Sequence, residues 1–236
     1  MKLVHPSATL FIPYYDYALN MVGMASKMCY GKCLHENTDR SELEAYIKAR
    51  LDAGHESIIE HIHISAFITT DRGVTHELVR HRLASYTQES TRFIDSAKSG
   101  ITYIIPSWFT DVKAGEYKDP IRGYAAIYEW THTMLTNERA YIALRTASST
   151  PEQARAVLPN SFATKILITA NLREWRHILA LRAKGVTGRP HPQIQQVMYP
   201  IWLELHDRLP VFFEAPDKPL FDIQGAENVE VTVQCV

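Results

Sequence analysis

The chain has 236 residues, 46% of them hydrophobic, with 25 basic against 26 acidic side chains and a net charge of −1. That is enough apolar material for one sizeable core and argues for one large domain over residues 1–236 or a tightly fused pair. A charge so close to zero excludes a surface organised globally around nucleic acid or an anionic membrane, so any anion site must be a local cluster.

Residues 2–5 predict a short strand, broken by Pro6. Apolar residues recur at helical spacing over 16–30, and Gly31 ends that helix. Residues 39–53 predict a second helix, capped by Asp39 or Ser41 with Glu44 in capping-box position, and Leu43, Tyr46, Ile47 and Leu51 as its buried stripe. From His61 partial alternation predicts a strand of about nine residues, with His61, His63 and Ser65 on one face. Two histidines with no third ligand nearby do not make a metal site, and none is expected. Residues 74–82 predict a short helix, 83–100 a loop, and 101–105 a strand ended by Pro106. Residues 108–119 are turn-rich. A long amphipathic helix follows over 121–144, with Tyr124, Ile127, Tyr128, Met134 and Leu135 as candidates for its inner face. Pro151 opens a helix at its first turn. Residues 162–170 predict a strand, 171–182 a helix, 183–192 a Gly/Pro-rich loop, and 193–209 the final helix. The tail from Pro210, with Pro216, Pro219 and Gly225, is expected to cover the surface or reach a neighbouring subunit. The predicted elements mix strands with long helices, an α/β (α+β) class.

Three cysteines, Cys29, Cys33 and Cys235, form no even framework, which points to a reducing compartment and a cytoplasmic protein. Cys29 and Cys33, on one face of the expected helix, read as buried thiols. No signal-peptide apolar region opens the chain, and no run reaches transmembrane length.

The densest chemistry lies between Arg80 and Arg92. Arg80, His81, Arg82 and Arg92 alternate with Ser85, Thr87, Gln88, Ser90 and Thr91, and only Glu89 opposes them. Guanidinium forks bind phosphate and carbonyl oxygens in two-pronged fashion, and hydroxyls and amides fix orientation. The matching ligand is a phosphorylated small molecule such as a nucleotide. A helix C-terminus also favours cations, a purely structural reason for some of these arginines.

The order Arg80-His81-Arg82, seven residues, Ser90, then Arg92 resembles the signature of the flavin-dependent thymidylate synthases, the ThyX family. Three further stretches resemble that family: Gly54-His55-Glu56-Ser57, Ala154-Arg155 followed by Leu158-Pro159, and Asn171-Leu172-Arg173 with Arg182 eleven residues after Asn171. The connection 183–192 is longer and richer in Gly and Pro than the family pattern, and Gln88 stands where some relatives carry Glu.

The resemblance implies reductive methylation of dUMP at C5 to dTMP, with FAD as cofactor and NADPH and methylenetetrahydrofolate as co-substrates. It implies a mixed fold with a largely antiparallel sheet flanked by long helices, and a homotetramer with active sites at subunit junctions. Arg182 becomes the catalytic cation at the uracil ring. Arg155 with Gln88, Glu89, Ser90, Thr91 and Arg92 would hold dUMP, and Glu77, Leu78, Val79 and Arg80 would touch it from a different subunit. Arg80, His81, Arg82, Gln88, Asn171, Leu172, Arg173, His177, His55 and Ser57 would contact FAD. No Gly-x-Gly-x-x-Gly dinucleotide signature is present. No cysteine lies beside the basic blocks to serve as the C6 nucleophile of the other thymidylate synthase chemistry, which fits a flavin route. Read singly, Arg155 and Arg173 also suit helix-surface pairs with Glu152 and Glu174. A family member acting on UMP, or leaving another group on C5, is one alternative. The other is a non-enzymatic nucleotide- or RNA-binding module, against which the balanced charge speaks.

Overall fold

The computed structural model describes residues 1–33, 38–216, 223 and 225–236. Two strands, β1 (Lys2–Val4) and β2 (Ser7–Ile12), occupy the start of the chain, where the sequence predicts one. Pro6, which has no N–H to donate, separates them. Ala8, Leu10 and Ile12 of β2 point into the core at 4%, 0% and 1% exposure, a two-residue period. Helix α1 (Tyr15–Met28) ends earlier than 30, so Cys29 is its capping residue and both Cys29 and Cys33 are exposed, not buried as the sequence suggests. Helix α2 (Arg40–Asp52) starts at Asp39, whose carboxylate accepts from the backbone N–H groups of Ser41 and Glu42. Leu43, Ile47 and Leu51 are its buried stripe.

A 3-10 helix over Glu56–His61 removes His61 from the strand predicted to hold it. Strand β3 (His63–Asp71) then passes into helix α3 (Arg72–Leu78). The stretch predicted as loop contains strand β4 (Ala84–Gln88) and the short helix α4 (Ser96–Ser99). Strands β5 (Thr102–Ile104) and β6 (Gly115–Glu116) lead to α5 (Ala125–Thr146). Tyr124 caps α5 and is 76% exposed, and Tyr128 is 42% exposed, so neither belongs to the inner face. Ile127, Thr131, Met134, Leu135 and Tyr141 form it instead. Helix α6 (Pro151–Ala154) carries a full capping box between Thr150 and Gln153. Strand β7 (Ala163–Asn171) feeds α7 (Leu172–Leu179), which changes to a π-helical turn over Ala180–Lys184. Helix α8 (Pro192–Arg208) and a last strand β8 (Glu230–Cys235), which the sequence reading missed, complete the chain. Part of the expected tail, Pro219 included, lies outside the described residues.

The strands form a five-stranded sheet ordered β4-β7-β3-β2-β8 and a three-stranded sheet ordered β5-β1-β6. In the larger sheet every pairing is antiparallel except β2 with β8. Its inner face presents Ile64, Ala66 and Ile68 from β3 and Ile166, Ile168 and Ala170 from β7, all at 1% exposure or less, against α1, α2, α7 and α8. A second cluster joins the small sheet to α5 through Leu3, Tyr103, Met134 and Tyr141. Among the described residues no helix is long and apolar enough to cross a membrane.

The β3–β7 ribbon positions the site. Its register runs from His63 opposite Asn171 to Asp71 opposite Ala163. Helix α3 therefore leaves one end of the ribbon and α7 the other. Each is started by the same device. The Asp71 carboxylate accepts from Val74 N–H at 2.7 Å, and the Asn171 amide oxygen accepts from Glu174 N–H at 2.8 Å. Two helices launched from opposite ends and packed on one sheet face bring their C-terminal ends together.

Candidate functional site

At that meeting point the carbonyl ends of both helices favour cations, and Arg80, Arg82 and Arg182 lie there, with Lys184 in the same last turn as Arg182. Arg182 is the fixed one. Its Nε–H donates to His81 Nε2 at 3.1 Å, and its Nη1 donates to Glu77 Oε2 at 2.8 Å within the same chain. Arg182 and Glu77 are 24% and 30% exposed, so one side of the guanidinium remains open. His81 is buried, its ring edge-to-face with His177 at 5.7 Å between centroids. Burial, then the charge of Arg182 and the proximity of His177, push the His81 pKa down to about 4, so the ring is neutral near pH 7. Tyr86 Oη–H donates to the carbonyls of Leu78 and His81 at 2.7 and 2.9 Å, tying β4 to the end of α3. Burial, reinforced by the nearby Glu174, pushes that phenol up to about 12.

A cavity of about 430 Å³ opens here, lined by Arg80, His81, Arg82, Leu83, Glu174, His177, Leu181 and Arg182. A larger one of about 830 Å³ shares Leu83, Glu174 and His177 with it and extends along Asn171, Arg173 and Arg176 to Trp202, Phe212 and Phe213. The larger volume lies within the range of about 300–1,000 Å³ usual for small-molecule and cofactor pockets. Arg173 pairs with neither Glu174 nor any other residue of its own helix. It donates to Glu60 at 2.6 Å and faces Glu56 at 3.5 Å. Glu56 also holds Arg176 at 3.2 Å. His55 and Ser57, on either side of Glu56, are exposed and line neither cavity. Leu78 and Leu172 are fully buried, so they offer a ligand only backbone atoms, whereas Val79 is 40% exposed.

The remaining predicted residues gather along β4 and the turn after it. Thr75 Oγ1–H donates to the Arg72 carbonyl at 3.0 Å, so its oxygen accepts from Gln88 Nε2, also at 3.0 Å. A second donor contact runs from Gln88 Nε2 to Thr164 Oγ1 at 3.3 Å. The amide's donor end is thereby committed, and its carbonyl end is what Gln88 has for a ligand. Ser90 Oγ accepts from Arg92 N–H at 3.3 Å, and Arg155 donates to Thr91 Oγ1 at 3.3 Å. Glu152 takes Arg92 at 2.9 Å, not the Arg155 suggested by spacing. Glu89 turns aside to Lys165 at 3.5 Å. Arginines 92 and 155 thus converge with two hydroxyls on one exposed patch.

Sequence reasoning missed Glu174, Thr75 and Thr164 as parts of the site. A signal for Glu174 existed: it occupies the buried stripe of α7 with Trp175 and Ile178, where a carboxylate is out of place.

The protein is 33% identical to a flavin-dependent thymidylate synthase of Mycobacterium avium (strain 104) over 168 residues, 69% of this chain. That alignment spans 66% of the relative, just under two thirds of its length. It is 32% identical over 166 residues to the enzyme of the same name from Geobacter sulfurreducens, covering 68% of this chain and 67% of that one. Among solved structures it is similar to a UMP/dUMP methylase PolB from Streptomyces cacaoi bound with 5-Br dUMP, with a TM-score of 0.70 and 20% identity over 90% of this chain and 95% of that one. The same enzyme with 5-Br UMP gives a TM-score of 0.68. At such identity the likeness concerns the fold, and it agrees with the mixed, largely antiparallel architecture. A family model described as thymidylate synthase complementing protein matches residues 12–211, the span that holds both cavities' helices, the Arg182 contacts and the Arg92–Arg155 patch, and the chain belongs to that family.

Proposed function

We propose that the protein converts dUMP to dTMP by reductive methylation at C5, taking the carbon from methylenetetrahydrofolate and the reducing equivalents from NADPH through FAD. The observation that carries this reading is the guanidinium of Arg182, fixed by His81 and Glu77 at the mouth of a cavity. The names of the relatives add the flavin and the thymidylate product.

The residues present fit a flavin. Arg80 and Arg82 with the smaller cavity, and Asn171, Arg173 and His177 with the larger, supply the polar groups, and Leu172 supplies backbone. His81 contributes indirectly, since its ring is engaged with Arg182. When bound, the flavin supplies hydride. Arg182 lays its planar fork on the pyrimidine carbonyl edge, where negative charge grows as C5 becomes nucleophilic. Gln88 presents its carbonyl oxygen to the pyrimidine N–H. Arg92 and Arg155, with Ser90 and Thr91, take the phosphate by charge-assisted hydrogen bonds, and Arg92 exchanges Glu152 for it. None of Cys29, Cys33 and Cys235 lines either cavity, in keeping with a route that uses no thiol nucleophile.

The protein acts as a cytoplasmic homotetramer in this reading. His55 and Ser57, exposed and outside the cavities of their own chain, complete the flavin site of a neighbouring copy, and Glu77 to Arg80, together with the Arg182 that Glu77 holds, reach the nucleotide whose phosphate sits on a neighbour's Arg92 and Arg155. The bound ligands of the Streptomyces enzyme favour UMP as the second substrate to test. The experiment is direct. The purified protein should be yellow, sediment as a tetramer, and make dTMP from dUMP, NADPH and methylenetetrahydrofolate. A protein that binds no FAD when it is supplied, or an active monomer, refutes the corresponding part.

A further inference from the structure

The contact between Arg182 and His81 fixes more than a distance. Arginine has donors only, so the His81 Nε2 that accepts from Arg182 Nε–H carries no proton. With the ring neutral, its proton sits on Nδ1. Nδ1 faces Glu174 Oε1 at 3.7 Å, and both side chains are buried, at 4% and 7% exposure. That spacing is longer than a hydrogen bond, but it puts a carboxylate on the proton side of the imidazole. Glu174 also lines both cavities. Burial raises its pKa, and His177 opposes that rise. Among the described residues, the cationic or titratable partners that face it are His81 and His177. A carboxylate held on the apolar stripe of α7 needs a reason, because an alanine or leucine there would pack at no desolvation cost.

We propose that Glu174 is a positioning residue for Arg182: its carboxylate holds His81 in the Nδ1–H tautomer, and the bare Nε2 then fixes the direction of the guanidinium. Without an acceptor beside Nδ1, the ring is free to carry its proton on Nε2, where an N–H would oppose the Arg182 N–H and push the arginine out of line. Among the described residues, His177 and Arg182 are the other charged or titratable groups acting on the ring, and neither offers Nδ1 an anionic acceptor. The proposal rests on the reading of Arg182 as the group at the pyrimidine. Its first consequence, the tautomer, is independent of that reading.

Two variants separate the roles. In Glu174→Gln the amide oxygen can still accept from Nδ1, whereas in Glu174→Leu nothing can. Nitrogen-15 spectra of histidine-labelled, flavin-free protein, with His81 assigned through His81→Asn, read the tautomer directly. The leucine variant should move Nε2 from the unprotonated to the protonated range, and the glutamine variant should leave it in place. In the loaded enzyme the leucine variant should lose turnover on the order of 10- to 100-fold, the cost of a small misplacement of a reacting group. KM for dUMP should change by less than about threefold, because the phosphate contacts are untouched. Glutamine should restore turnover to within about threefold of the parent. Should the leucine variant not fold, Glu174→Ser, too short to reach the ring, is read in the same way. An unchanged tautomer in the variant without an acceptor overturns the proposal. So does a glutamine variant as impaired as the leucine one. A tautomer that shifts as expected in a protein that makes no dTMP leaves the coupling standing and removes the functional reading instead.

Discussion

Replacing Arg182 by lysine separates chemistry from stability. The arginine uses Nε for His81 at 3.1 Å and Nη1 for Glu77 at 2.8 Å. A lysine has one nitrogen and cannot keep both. The ion pair with Glu77 is only part-buried, 24% and 30% exposed, so after solvent screening its loss should cost about 0.2–1 kcal/mol of folding stability. If the same guanidinium stabilises charge developing on the pyrimidine, the loss in turnover should be about 100- to 1,000-fold, roughly 2.7–4 kcal/mol in the barrier. The flexible ammonium should not rescue a planar contact. Urea unfolding gives the first number. Anaerobic flavin reduction by NADPH and dTMP formation on the same preparation give the second. The variant should keep its FAD and still bleach it, while forming almost no product. Product within a few-fold of the parent, or a stability loss of several kcal/mol, would show that Arg182 is structural.

Two shorter predictions concern neighbouring groups. Arg155→Ala should weaken dUMP binding by about 1.5–3 kcal/mol, the range for a hydrogen bond to a charged group, and leave FAD content unchanged; calorimetric titration that shows equal loss of both ligands would indicate a folding defect. The depressed pKa of His81, about 4 against the ordinary 6.5 of an imidazole, means that the folded ring refuses a proton the unfolded chain accepts below about pH 6.5. Its contribution to stability is therefore complete above that pH and is lost as the pH falls towards 4, so His81→Gln should flatten the pH dependence of the urea midpoint in that window, and an unaltered slope would contradict the burial argument.

How much of this was legible depends on which physical signal each element carries. Helix α2 was legible because cap, stripe and terminating Gly54 agree. Strand β3 was legible through its isoleucine alternation. Strand β4 was not: Ala84, Tyr86 and Gln88 face inward while Ser85 and Thr87 face out, and that alternation of small and polar groups has no hydrophobic period to detect. It is a strand because β7 offers an edge from Ile166 to Ala170 and because Tyr86 is anchored to two carbonyls. Strand β8 depends likewise on a long-range parallel pairing with β2. In the site, residue types singled out Arg92, and the family resemblance Arg155 and Arg182, but neither gave their partners. The carboxylates that engage Arg173 and Arg92 come from other elements, Glu60 and Glu56 in one case and Glu152 in the other.

The end of α7 is where a sequence period misleads most, and it yields a last test. Residues 171–182 fit an uninterrupted α-helix, but from Ala180 the chain takes a π-helical turn, which closes with Gly185 N–H donating to the Ala180 carbonyl at 2.9 Å. Each loop of a π turn takes one residue more than an α turn, so Arg182 lags behind the direction that an α-helix would give it, and such turns recur at functional sites. Two features hold it. Buried Gln195 of α8 donates to the Ala183 carbonyl at 2.9 Å, and Gly185 adopts the left-handed conformation, φ 80° and ψ 41°, that ends the turn. A side chain at that φ costs about 1–2 kcal/mol, and asparagine tolerates it better than alanine. Gly185→Ala should therefore lower the unfolding free energy by about that amount, with Gly185→Asn in between. If the π turn is what aims Arg182, turnover in the alanine variant should fall by more than tenfold at a temperature where the protein is fully folded, while FAD content and phosphate-dependent dUMP affinity hold. An alanine variant that is destabilised as expected but turns over like the parent would mean that Arg182 keeps its direction through His81 and Glu77 alone, and that the π turn is only how the helix ends.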